Sequence, residues 1–154
     1  MTSPEVLSAN VETMLHIRQV QRLLNIVVVE LLRRAEVHDE SKMSPEEVNV
    51  FAEFTPKLKD CTYNSDEYKG YLAAMKPALD HHYAVSRHHP EHTPEGLAGM
   101  SLIDLIEMLA DWKAATLRHK DGNLYKSIET NTKRFNISPE LRGILEKTAV
   151  ELGF

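Results

Sequence analysis

Five of the chain's eight histidines fall within twelve residues, His81-His82-Tyr83-Ala84-Val85-Ser86-Arg87-His88-His89-Pro90-Glu91-His92. Imidazoles packed this densely suit a divalent transition metal better than they suit a core or a solvated face. The competing reading is a surface tract with adventitious metal affinity. Two other places could meet these rings: His38-Asp39 with Lys42 upstream, and Asp104, Glu107 and Asp111 downstream. Asp111 stands on an otherwise apolar helix. An unpartnered buried carboxylate costs roughly several kcal/mol, so it needs a metal, a cation or hydrogen bonds. A structural salt bridge would meet that need equally well. Lys42, three residues after Asp39, could hold a phosphate oxygen as a point charge. Arg87 between the paired histidines, and Arg18 upstream, could do the same. His92 and His119 are the bystanders.

These groups lie far apart in sequence, so helices must gather them. Ser3-Pro4-Glu5 reads as a helix start. Apolar residues from Val11 to Leu32 then recur every three to four positions, predicting an amphipathic helix to about Ala35. His16 lies on or beside its apolar stripe and should face inward, with Glu12 one turn earlier on the same side. Ser44-Pro45-Glu46-Glu47 matches a capping box and should open a second helix that stops near Pro56. Ser65 opens a third, kinked or broken at Pro77. The histidine stretch follows on its last turns or just beyond. Pro90 to Gly99 reads as a loop long enough to cover a site. Ser101 starts a largely apolar helix that should be central. A turn at Asp121-Gly122-Asn123 leads to a helix over 124–135, and Ser138-Pro139-Glu140 starts the last. No strand pattern or repeat appears. The expected fold is all-α, one domain over 1–154.

Composition narrows the function. A net charge of -5 gives no general drive toward nucleic-acid polymers or anionic membranes. The single cysteine, Cys61, rules out an intrachain disulfide and a thiolate-rich zinc site, and fits a reducing cytoplasmic compartment. The N-terminus has no signal-peptide pattern, and no apolar run approaches a membrane span.

Taken in order, His16, His38-Asp39-Glu40-Ser41-Lys42, His82, His88-His89 and Asp111 resemble the HD-domain superfamily of metal-dependent phosphohydrolases. A closer resemblance is to a family of short HD-like proteins from phages and bacteria. It rests on His38-Asp39-Glu40-Ser41-Lys42-Met43-Ser44-Pro45-Glu46-Glu47, on His81-His82 followed by His88-His89, and on Glu107-Met108-Leu109-Ala110-Asp111-Trp112. The resemblance implies an HD-like helical bundle. It implies His16, His38, Asp39 and Asp111 as the core metal ligands, with Asp39 bridging if two ions bind. His82, His88 and His89 would complete a second site. The glycine-containing motif of cyclic-dinucleotide phosphodiesterases is absent after His88-His89, which argues against that substrate.

The expectation is therefore hydrolysis of a nucleotide or related phosphate ester. One or two divalent ions (Mn, Fe, Co, Ni or Zn) would suit the imidazole-rich set. Asp39 or Glu12 would take the proton of the attacking water, and Lys42, Arg87 and Arg18 would hold the phosphate. Two readings compete: a di-iron oxygenase, and a non-catalytic metal- or nucleotide-binding protein that sequesters its ligand. No nucleic-acid polymer or membrane partner is expected, and a homodimer is compatible with the sequence.

Overall fold

A computed structural model describes residues 3–62, 65–118 and 122–154. The fold is all-α, with no strand among the described residues. The helices are α1 (Pro4–Val37), α2 (Val48–Asp60), α3 (Asp66–Ala74), α4 (Lys76–Val85), α5 (Leu102–Thr116), α6 (Leu124–Phe135) and α7 (Pro139–Glu151). Single 3-10 turns occupy Glu40–Met43, Pro90–His92 and Gly96–Gly99. No described helix is long and apolar enough to cross a membrane.

The chain divides into two compact units, the first ending at Val37 and the second being His38–Phe154. The described part of the first is a single helix, α1, with no buried residue. A lone helix has nothing within its own unit to pack against. Its stripe, including Val11, Leu15, Val20, Leu24 and Val28, is therefore exposed. Within this unit His16, expected to face inward, is exposed, as are Glu12 and Arg18.

In the second unit, Met108, Leu109 and Trp112 of α5 are buried with Leu124 and Ile128 of α6, Ile137, and Leu145 and Ala149 of α7. Side-chain caps set where several helices begin. Ser65 accepts from the Tyr68 amide at 3.1 Å, Asn123 from Lys126 at 3.0 Å and Ser138 from Leu141 at 3.2 Å. Each satisfies a first-turn donor that has no partner within the helix. Ser101 and Asp104 form a reciprocal capping box on α5. The break at Pro77 is present: α3 ends at Ala74, and Pro77 sits in the first turn of α4, where a missing amide hydrogen costs nothing.

Two expectations are corrected. Helix α2 does not stop near Pro56 but continues to Asp60. Contacts flanking the proline hold that end: Lys57 bonds Glu53 at 2.8 Å and lies over the Phe54 ring at 4.6 Å. Ser44 and Glu47 do not form a capping box. Ser44 ends the Glu40–Met43 turn, and α2 begins only at Val48, with no side-chain cap from Glu47. The Glu47 carboxylate is fully buried and faces α4 instead.

Candidate metal centre

The centre is built where the segment 38–43, α4, the loop that follows α4, and α5 meet within the second unit. After α1 ends, Asp39 adopts a left-handed backbone, φ 59° and ψ 13°, which short polar residues tolerate better than most. His38 and Asp39 both join the cluster. Helix α4 supplies His82, which is buried. The chain leaves the helix at Ser86 in extended conformation and brings back His88, also buried, and His89. Helix α5 supplies Glu107 and Asp111, four residues apart and therefore on one face.

Three groupings present one ligand-type atom per residue within 4.8 Å of one another: Asp39, His82, His88 and His89; His38, Asp39 and Asp111; and His38, His88 and Glu107. In the first, His82 Nε2 lies 3.2 Å and His88 Nε2 3.6 Å from Asp39 Oδ1. His89 Nε2 is 3.1 Å from His82 Nε2. Asp39 Oδ1 and His88 Nε2 are both buried and have no hydrogen-bond partner. Two polar atoms facing each other without a bond are costly in a protein interior, and a cation between them removes the cost. Donors around a tetrahedral ion with arms of about 2.0–2.1 Å stand about 3.3 Å apart, so these separations fit one.

The second grouping uses the other side of Asp39. His38 Nε2 is 3.6 Å from Asp39 Oδ2 and 3.7 Å from Asp111 Oδ1. The Lys42 ammonium also binds Asp39 Oδ2 and lies 5.1 Å from the Phe51 ring centre. The nearby Asp111 carboxylate raises the His38 pKa to about 9, against the opposing effect of burial, with help from Glu107 and the charge of Asp39. Burial would raise the Asp39 carboxyl, but the neighbouring His82 ring and Lys42 ammonium outweigh it and hold the group ionised. Asp111 is also lowered, because His38 outweighs its burial. Burial pushes His88 and His89 down, reinforced by neighbouring imidazoles. Rings held neutral in this way keep lone pairs for a metal.

Behind these groups stand Glu107, which the sequence set among the acids facing the histidines, and Glu47 and Ser41, whose part it did not disclose. Glu107 Oε1 receives His38 Nδ1 at 2.9 Å and lies 3.3 Å from His88 Nδ1. Glu47 Oε1 bonds His81 Nδ1 at 2.7 Å, and its Oε2 lies 3.2 Å from His82 Nδ1. Ser41 Oγ also reaches His82 Nδ1, at 2.8 Å. Glu107 had a readable signal, its place one turn before Asp111. Glu47 had none, since its spacing from Ser44 imitates a helix cap.

The remaining expected residues are not members of these groupings. Glu12, His16 and Arg18 are on α1, and the groupings draw on the second unit alone. Arg87 is largely exposed, with its guanidinium 3.4 Å from Asp104. Asp104, expected to face the histidines, is buried in the capping box, because its Oδ2 is taken by the Ser101 amide and hydroxyl, each at 2.8 Å. His92 bonds the Tyr83 carbonyl at 3.2 Å, as a bystander would. His119 lies outside the described residues.

A family model matches residues 6–151, nearly the whole chain. The chain belongs to DUF5662. DUF5662 is described as a family of unknown function, so membership assigns no chemistry to the cluster. No curated protein and no solved structure matches this DUF5662 chain.

Proposed function

We propose that the protein is a metal-dependent phosphohydrolase acting on a nucleotide or related small phosphate ester. The observation that carries this reading is the pair of buried, unpartnered atoms, Asp39 Oδ1 and His88 Nε2, inside a ring of four ligand-type side chains. Three imidazoles and one carboxylate suit Mn, Fe, Co, Ni or Zn better than magnesium, which prefers an all-oxygen shell. Asp39, His82, His88 and His89 would hold the first ion, and His38, Asp39 and Asp111 would hold a second. Such an ion, when bound, polarises a phosphate oxygen and lowers the pKa of water from about 15.7 toward about 7.

The protein's own groups supply the rest. Lys42 is a third exposed or less, and it can turn from Asp39 to a phosphate oxygen and offset its charge. With only the first ion held, Asp111, kept ionised beside His38, is placed to accept a proton. In that one-ion state His38, whose raised pKa keeps it protonated at neutral pH, is placed to return one to the leaving oxygen. Arg87 is exposed enough to reach a larger substrate after releasing Asp104.

The test pairs metal analysis of the purified protein with hydrolysis assays on nucleoside mono-, di- and triphosphates and simple phosphodiesters. Manganese, iron, cobalt, nickel and zinc are each supplied, with Asp39→Asn and His88→Ala as controls. Metal-dependent phosphate release, lost in both variants, is expected. Nucleotide binding without turnover in any metal would select a sequestering protein instead. Iron-dependent oxygen consumption without phosphate release would select an oxygenase.

A further inference from the structure

We propose that Glu107 is the positioning residue of the metal centre, a single carboxylate that fixes two ligand histidines from behind. The proposal rests on the metal-binding reading above and adds a role for a residue that makes no contact with substrate in it. The Nδ1 atoms of His38 and His88 both face Glu107 Oε1, at 2.9 and 3.3 Å. Their Nε2 atoms both face Asp39, at 3.6 Å each. The two rings are 4.4 Å apart between centroids and tilted by 41°, so each limits how the other can turn.

An imidazole whose Nδ1 hydrogen is given to a carboxylate has its lone pair at Nε2. Glu107 thus chooses the tautomer and the aim of both rings together. His38, at the start of the second unit, and His88, from the loop after α4, are otherwise independent ligands, fifty residues apart in the chain. A rigid helical residue between them couples their orientation.

Glu107 could instead be a ligand, because it also belongs to a grouping with His38 and His88. The partner pattern separates the two roles. The unpartnered ring nitrogen is His88 Nε2, on the Asp39 side, whereas the Glu107 carboxylate is not among the buried atoms without partners. The atoms without hydrogen bonds, His88 Nε2 and Asp39 Oδ1, therefore lie on the far side of the His88 ring from Glu107.

Wild type, Glu107→Gln and Glu107→Ala are titrated with zinc against a competing chelator, and with cobalt followed by visible absorption. Melting curves check folding. Affinity should fall roughly 10- to 100-fold in Glu107→Ala and by less in Glu107→Gln. The number of ions bound, and the cobalt band positions that report the donor set, should stay those of wild type. Unchanged affinity in both variants would overturn the positioning role. So would loss of an ion, or cobalt bands shifted as for a lost oxygen ligand. Should Glu107→Ala fail to fold, Glu107→Gln, which keeps the shape and weakens the acceptor, decides alone. A wild type that binds neither metal would instead defeat the metal-centre reading itself.

Discussion

Replacing Asp39 by asparagine isolates the charge at the heart of the centre. Asparagine keeps the shape of the side chain and tolerates the left-handed backbone at φ 59°, so the turn survives the change. Asp39→Ala would add a backbone cost of about 1–2 kcal/mol and confuse the result. A ligand that binds only the folded protein stabilises it by about 2.7 kcal/mol at one hundred times its Kd. For a unit the size of His38–Phe154, this corresponds to a rise in Tm of roughly 10 °C. Asp39 is the only anion in the grouping with His82, His88 and His89. If its neutralisation weakens zinc about 100-fold, the same zinc concentration stabilises the variant by only about 0.4 kcal/mol, or roughly 2 °C. The assay is differential scanning fluorimetry of both proteins with and without zinc. The metal-induced shift is compared within each protein, so loss of the Lys42 pair in the variant cancels. Equal shifts in the two proteins would remove Asp39 from the ligand set. No shift in wild type with zinc, manganese or cobalt would remove the centre altogether.

Glu47→Ala leaves the buried His82 and the half-exposed His81 without their carboxylate, and should lower stability by about 1–3 kcal/mol in urea unfolding. A change below about 0.5 kcal/mol, typical of a surface site, would show that the carboxylate holds nothing. Metal-free protein should also lose stability at alkaline pH. The folded-state pKa of His38, about 9, lies above its ordinary value of 6.5. The contribution is therefore complete below about pH 6.5 and fades as pH rises through about 9. His88 and His89, shifted down, act oppositely: their contribution is present above the ordinary histidine pKa and is lost as pH falls. A flat melting temperature across the alkaline window, or His38 titrating near 6.5 by NMR, would contradict the assignment to His38.

Local chemistry was the readable part of this chain. Ser65, Ser101 and Ser138 announce their helices because a hydroxyl just ahead of a helical run meets first-turn amides wherever the helix then packs. The apolar run of α5 marks a buried helix for the same reason of composition. The histidine pairs, His38-Asp39 and Asp111 were readable as a group because such residues are scarce on packed helices. What failed needed a partner the sequence does not name. Glu47 turns to α4, a choice made by imidazoles thirty-four residues away rather than by Ser44. Asp104 could be a ligand or a cap, and proximity to Ser101 decided it. For the stripe on α1, periodicity says that a face could be buried and leaves open what lies against it.

Asp39 brings these strands together. As a turn residue it has no need of a carboxylate: its side chain makes no capping bond, and glycine or asparagine would take the same backbone at equal or lower cost. As the partner of Lys42 it needs only Oδ2, because Lys42 Nζ binds that oxygen alone. Neither role accounts for Oδ1, which is buried, unpartnered and aimed between two imidazoles. Burial by itself would drive this acid toward its neutral form, yet its neighbours keep it charged. A charged oxygen kept without a hydrogen bond is destabilising, and a divalent ion held with His82 and His89 would give both Asp39 Oδ1 and His88 Nε2 a partner at once.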